Sequence, residues 1–204
     1  MTRILARLWS SDRAASAAEF ALVLPLLILF LLGIIDTGRF MYEYNQAEKA
    51  TQMGARFAVS TDVVAPGLAS YSFSVDGGVP QGNAVPVANF TSATCTNASC
   101  SCVATTGNFC SSVGYNAAAF ANVANRMAFM YPPIRPANVS VEYRNIGLGF
   151  AGDPNGPDVA PLVTVRLTNM NFQPLTMMLL KRTVSMPEFA ASLTLEDGAG
   201  TQAN

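Results

Sequence analysis

The sequence contains no histidine, and only 12% of its 204 residues are charged. The absence of histidine removes the most common general base, the imidazole metal ligand and the usual partner of a catalytic serine or cysteine. The net charge of −1 gives no electrostatic reason for binding to nucleic acid. We therefore expect no enzyme, no nucleic-acid partner, and no cofactor or metal site.

An uncharged and mostly apolar run near the N-terminus is broken by one carboxylate. Between Arg13 and Asp36 the only charged residue is Glu19. As a helix, residues 14–35 reach about 33 Å, enough to cross the hydrocarbon core of a bilayer. Three arginines precede the run, which predicts a cytoplasmic N-terminus and an outer C-terminal domain. A cleaved secretory signal fits poorly, because the run is too long and no small-x-small cleavage site follows it.

The residues around this run resemble a known family. An acid followed by phenylalanine and a long apolar helix resembles the signal of type IV prepilins, and residues 14–59 resemble the TadE-like family. That family consists of minor pilin-like proteins of the tight-adherence (Tad, type IVc) pilus apparatus. Its Glu-Phe-Ala-Leu-Val-Leu-Pro stretch corresponds to residues 19–25, its acid-x-Gly-Arg turn to 36–39 and its Gly-Ala-Arg segment to 54–56. The resemblance is dense over about the first 60 residues and thin beyond them.

The resemblance implies processing and an assembly role. A prepilin peptidase of the inner membrane would cut between Ala14 and Ala15, although alanine stands here where glycine is most common. Glu19 would become the fifth residue of the mature chain. Its carboxylate could then pair with the freed amine of a neighbouring subunit, so that two charges that are costly in lipid compensate each other. Pro25 removes one hydrogen bond of the helix and is a candidate kink.

The rest of the chain predicts a single α+β domain of pilin type, in which a long helix packs on a small antiparallel sheet. We divide the chain into a basic leader (1–14), a transmembrane and stalk helix (15–60) and an extracytoplasmic domain (61–204). A second helix is expected over 115–130, with Asn116 as its cap. Strands are expected over residues 70–75, 139–143, 162–168 and 188–195. The apolar segment 172–186 leaves three interpretations open: a short helix, an exposed patch for a partner, or a hairpin.

All four cysteines lie in a loop-rich stretch, over residues 91–113. They are Cys95, Cys100, Cys102 and Cys110. Their spacing lacks the C-x2-C pairs of structural zinc sites, and an oxidising exterior favours disulfides. A bond between Cys100 and Cys102 would close a strained ring. Two connectivities remain open: the first cysteine with the second and the third with the fourth, or the first with the third and the second with the fourth.

Together these observations predict a minor pilin or pseudopilin of a Tad pilus apparatus, held in the inner membrane before it enters a priming or tip complex. The expected partners are other Tad pilins, the prepilin peptidase and the inner-membrane platform proteins. After assembly the chain would reach the pilus or the cell surface. One alternative is a permanently anchored scaffold of the secretion machine with an uncut leader. Another is an enzyme or binding domain on a signal anchor.

Overall fold

The structure is a computed structural model that describes residues 12–154, 156–178 and 182–196. Its helices are α1 (Asp12–Ser60), α2 (Gly67–Ser70), α3 (Phe109–Ser112) and α4 (Ala117–Met130), with a 3₁₀ turn at Pro136–Asn138. Its strands are β1 (Ser92–Cys95), β2 (Cys100–Val103), β3 (Val139–Arg144), β4 (Leu162–Leu167), β5 (Asn171–Phe172), β6 (Val184–Ser185) and β7 (Phe189–Thr194). This is the expected α+β class, with a long N-terminal helix and a small antiparallel sheet.

Five strands form the main sheet, in the order β2-β1-β3-β4-β7. Every neighbouring pair is antiparallel. The strands predicted at 139–143, 162–168 and 188–195 are confirmed as β3, β4 and β7. Their alternation of apolar and polar residues is also seen in the burial of β3, where Val139, Val141 and Tyr143 are buried.

The outer part of α1 packs on this sheet through small residues. Ala47, Ala50 and Ala55 are completely buried. At Gly54 a β-carbon would lie 2.7 Å from the side chain of Met127 in α4 and 3.4 Å from Val165 in β4. Glycine therefore permits an approach of α1 to both elements that a larger residue would prevent. The acid-x-Gly-Arg element at 36–39 is helical and continues α1, in agreement with the helix predicted over 15–60.

Helix α4 begins and packs as its sequence indicates. The side chain of Asn116 accepts a hydrogen bond of 3.1 Å from the backbone N–H of Ala119, which satisfies one free donor of the first turn. One stripe of the helix is buried, and its members are Ala119, Phe120, Val123, Ala124 and Met127. The helix thus forms part of the core of the domain.

A cluster of aromatic rings fills the loop-rich region between α1 and α4. The ring of Phe109 lies 5.2 Å from those of Tyr71 and Phe73 and 4.9 Å from that of Phe90, measured between centroids. Such edge and tilted contacts add to the stabilisation from burial alone. The strand predicted at 70–75 is wrong: Ser70 ends α2, and the following residues form turns that direct Phe73 into this cluster.

The chain divides into two compact units. One combines α1 up to Tyr42 with Asn171–Val184, and the other combines Glu43–Met170 with the chain from Ser185 onward. The segment that contains β5 and the following loop therefore belongs with the apolar part of α1. Strands β5 and β6 pair with each other in a separate two-stranded sheet.

Candidate functional site

The apolar part of α1 is exposed along its whole length. From Ser16 onward, α1 is long and apolar enough to cross a membrane, with a mean hydropathy of 2.7 in its most apolar window, and it is the one such helix in the described part of the chain. None of that window is buried against the rest of the protein. In water this surface would be costly, whereas a bilayer would cover it. The helix could therefore anchor the chain in a membrane.

Glu19 lies on this exposed surface, near the N-terminal end of the apolar run. Within the described residues it has neither a hydrogen bond nor an ion pair. Ala14 and Ala15 lie inside α1, upstream of the acid, and Pro25 is also inside the continuous helix. Cleavage between the two alanines, pairing of Glu19 and bending at Pro25 stay predictions.

A buried carboxylate is found where the apolar run ends. Asp36, which is 7% exposed, accepts hydrogen bonds from the backbone N–H groups of Leu175 (2.7 Å) and Thr176 (2.9 Å). It also accepts one of 2.8 Å from the hydroxyl of Thr176. These residues belong to the connection between β5 and β6, residues 173–183, of which the structure describes 173–178 and 182–183. We call the described part of this connection the Asp36 loop. The three bonds tie this loop to the helix.

Arg39 supports the same anchor from one turn further along α1. Its guanidinium lies 3.6 Å from the Asp36 carboxylate, donates to the carbonyl of Gln173 at 3.5 Å, and stands 5.4 Å from the ring centroid of Phe172. Burial raises the pKa of Asp36, but the hydrogen bonds from Thr176 and Leu175, aided by Arg39, outweigh it and lower the pKa below its ordinary value. The loop is therefore held by an ionised acid.

We predict that Asp36→Asn releases the Asp36 loop while α1 stays intact. The amide lacks the charge that strengthens the bonds to Leu175 and Thr176. In the full chain in micelles, hydrogen–deuterium exchange of these two amides should become roughly tenfold faster. Asp62→Asn, which changes an exposed acid in the other unit, should have no such effect. Unchanged protection of both amides in Asp36→Asn would show that the carboxylate does not hold the loop.

The pH dependence of the contact between Asp36 and the Asp36 loop follows from the direction in which the pKa of Asp36 is shifted. Because the folded pKa of Asp36 is lowered, docking of the loop is stabilised at pH values above the ordinary pKa of 3.8. That stabilisation is lost as the pH falls below 3.8 and through the lowered folded pKa. The Asp36→Asn variant should lack this acid transition.

Sequence reasoning did not identify Asp36 as a ligand for a distant segment. Its partners Leu175 and Thr176 lie 139 and 140 residues away in the chain. The available signal was the acid-x-Gly-Arg element, which marked Asp36 and Arg39 without showing what they bind. The segment 172–186 contains the short paired strands of a hairpin, and its loop also leaves apolar side chains exposed.

The structure contains two disulfides, Cys95–Cys100 and Cys102–Cys110. This is the first of the two connectivities that the sequence left open. Strands β1 and β2 are antiparallel with Cys95 directly opposite Cys100, so the pairing of the strands brings these two sulfurs together. The second disulfide joins β2 to α3 beside the buried Phe109.

Another buried acid has a structural role. Asp158 accepts hydrogen bonds from the backbone N–H groups of Phe73 (2.6 Å), Gly152 (2.9 Å) and Asp153 (3.2 Å). Its oxygens are thereby used to join the aromatic cluster to the 152–158 turn. No group of three or more potential metal-ligating residues occurs among the described residues.

Comparison with known proteins bears on the N-terminal part of the chain. Residues 14–56 match the family model described as TadE-like protein, which confirms the resemblance seen in the sequence. Neither the curated proteins nor the solved structures give a match. The matched segment includes Glu19, Pro25 and the Asp36–Arg39 element, and it indicates a protein connected with the Tad pilus.

Proposed function

We propose that this chain, which belongs to the TadE-like family through residues 14–56, is a minor pilin or pseudopilin of a Tad pilus apparatus. The observation that carries the proposal is an exposed apolar run in α1 whose single acid, Glu19, stands at the position that the family signal requires. Such a helix is suited first to a bilayer and then to a bundle of similar helices. The function is structural and not catalytic.

In this proposal α1 crosses the inner membrane once. The arginines before the apolar run keep the N-terminus in the cytoplasm, and the sheet domain lies in the periplasm. The two disulfides are consistent with that oxidising compartment. The prepilin peptidase removes residues 1–14, and the freed amine of Ala15 then meets the Glu19 carboxylate of a neighbouring pilin.

After this step the sheet domain contacts other minor pilins and the platform proteins of the Tad machine, in a priming or tip complex. The periplasmic domain supplies the specific contacts, because the helix surface is almost uniformly apolar. After assembly the chain is found on the pilus or at the cell surface.

The proposal is tested by determining the N-terminal residue of the mature chain and the cell fraction in which the chain is found. In a host with its own Tad machinery, N-terminal sequencing should give Ala15 as the first residue, and a share of the chain should be recovered with sheared pili. Ala14→Gly, which installs the residue most common in the family, should be cut at least as completely. A start at Met1 or Thr2 in both forms, with no chain in the pilus fraction, would instead establish the permanently anchored scaffold.

A further inference from the structure

The Asp36 loop is held at the level where the helix leaves its apolar run. Asp36 is the first charged residue after Glu19, and it binds the loop directly through Leu175 and Thr176. Since an α-helix rises about 1.5 Å per residue, the start of the loop lies within a few ångströms of the end of the apolar segment. If α1 spans a bilayer, the loop is therefore at the membrane surface.

The loop exposes apolar side chains at this level. Leu175 is 40% exposed, Met177 41% and Met178 59%, and Val184 at the end of the loop is 40% exposed. An open groove of about 330 Å³ between the helix and the loop is lined by the apolar Phe40, Phe172, Pro174 and Val184 together with the polar Asp36, Thr37 and Thr176. The exposed apolar side chains of the loop thus lie close to the end of the apolar surface of α1.

The segment around the Asp36 loop carries only positive charge. From Leu167 to Pro187 the charged residues are Lys181 and Arg182, and no acid occurs. Basic residues next to exposed apolar side chains are typical of segments that bind an anionic membrane surface, where the apolar groups enter the acyl boundary and the cations meet the headgroups.

We propose that the Asp36 loop is a second membrane contact, which places Leu175, Met177 and Met178 in the interface of the bilayer that α1 crosses. The exposed Arg182 supplies attraction for anionic headgroups. The loop then fixes the depth and rotation of the helix in the bilayer. A single uniformly apolar helix could otherwise shift along the bilayer normal and rotate about its own axis, and the loop adds a contact to one side of it. Asp36 is the positioning residue. This inference rests on the proposed membrane anchoring.

The experiment uses the full chain in vesicles of phosphatidylethanolamine and phosphatidylglycerol. All native cysteines are paired, so Met178→Cys introduces the single thiol for an environment-sensitive fluorophore. Lipids with a nitroxide near the headgroup serve as quenchers for position 178, and lipids with a nitroxide in the acyl chain serve as quenchers for position 30. The same label at Phe30→Cys reports on the helix, and at Val75→Cys on an exposed apolar residue of the other unit.

The labels at positions 30 and 178 should both be quenched, the latter at least about twice as strongly as the label at position 75. Adding Asp36→Asn should reduce quenching at position 178, while position 30 stays quenched because α1 remains in the bilayer. Replacing Arg182 by glutamine, or phosphatidylglycerol by phosphatidylcholine, should also reduce quenching at position 178.

The outcomes separate the two hypotheses. If the label at position 30 is not quenched, α1 is not in the bilayer, and the proposed anchoring fails together with the inference. If position 30 is quenched while position 178 gives the same signal as position 75, the anchoring stands and the loop does not contact lipid. A photoreactive group at position 178 that cross-links only to protein in cells would show that the surface binds a partner chain, and would overturn the membrane contact.

Discussion

Glu19→Gln is expected to leave membrane insertion intact, or to make it easier, and to reduce incorporation into the pilus assembly by about tenfold or more. An ionised acid within a bilayer costs about 2.5–3.5 kcal/mol at the centre of a helix and less near an end. Removing the charge removes that cost. The loss of the ion pair would destabilise only the assembled state. A loss of about 1.4 kcal/mol there lowers the equilibrium constant for incorporation about tenfold.

The direction of the effect depends on where the partner of Glu19 is. Within the described residues of this chain the carboxylate has no partner, and the neighbouring surface of α1 is apolar and exposed. A partner supplied by another subunit would stabilise the assembled state alone. Headgroup water would instead stabilise the single chain and the assembly equally, and the substitution would then have little effect on assembly.

The measurement is the ratio of chain in sheared pili to chain in the membrane. Glu48→Gln is the matched control, because Glu48 is an exposed acid on the same helix that lies beyond the apolar run. Glu19→Leu should behave like the glutamine variant. A zero-length carbodiimide should couple Glu19 to the amine of Ala15 in a neighbour, and this product should be absent in the glutamine variant. Normal incorporation of correctly cut Glu19→Gln would end the pairing argument.

Local sequence patterns were sufficient for much of the fold. The apolar stripe and the cap at Asn116 indicated α4, and alternation indicated β3, β4 and β7, because in these elements one face is buried and the other is wet. In α4, β3, β4 and β7 the periodicity of the residues reports directly on the neighbouring core or solvent. The long apolar run of α1 was visible for a different reason, because an unbroken run of this length predicts a membrane-spanning helix without any periodicity.

Other elements have no such local signal. Strands β1 and β2 have the sequences SATC and CSCV, whose small side chains give little contrast between faces. The alternation at residues 70–75 predicted a strand, but Phe73 is buried by other rings and by the bond from its N–H to Asp158, which are tertiary contacts. The link between Asp36 and the Asp36 loop is likewise a long-range contact that composition does not encode.

The cysteine pairing could not be derived from spacing alone, because both connectivities close short loops. The register of β1 against β2, with Cys95 opposite Cys100, decides between them. That register is itself invisible in two short strands without large apolar residues. The sequence therefore predicted that disulfides form, and the structure was needed for their connectivity.

Replacing all four cysteines by alanine is expected to destabilise the domain by about 4–6 kcal/mol. In the chain-entropy account, each disulfide closes a short loop and stabilises by about 2–3 kcal/mol. The loops 95–100 and 102–110 do not overlap, so the two terms should add. Small domains have total stabilities of about 5–15 kcal/mol, so the loss is a large part of the whole.

The fold gives a reason why the effect should be concentrated at one edge of the sheet. Strand β2 is an edge strand, and its only partly buried side chains are Cys100 and Cys102, while its other two residues are exposed. Without the disulfides no large side chain holds β2 on the sheet. Its release would expose the backbone of β1, which is a template for aggregation. It would also loosen Phe109, because this residue of the aromatic cluster is adjacent in the chain to Cys110, which the second disulfide holds.

Urea unfolding of the full chain in micelles, followed by the near-ultraviolet circular dichroism of its tyrosines, measures the loss. The variant lacking Cys95–Cys100 alone and the variant lacking Cys102–Cys110 alone should each lose about half of the total. The second should also change the tyrosine signal before unfolding, because Tyr71 packs on Phe109. A quadruple variant with the urea midpoint of the parent chain would mean that strand pairing and the aromatic cluster hold β2 without covalent help.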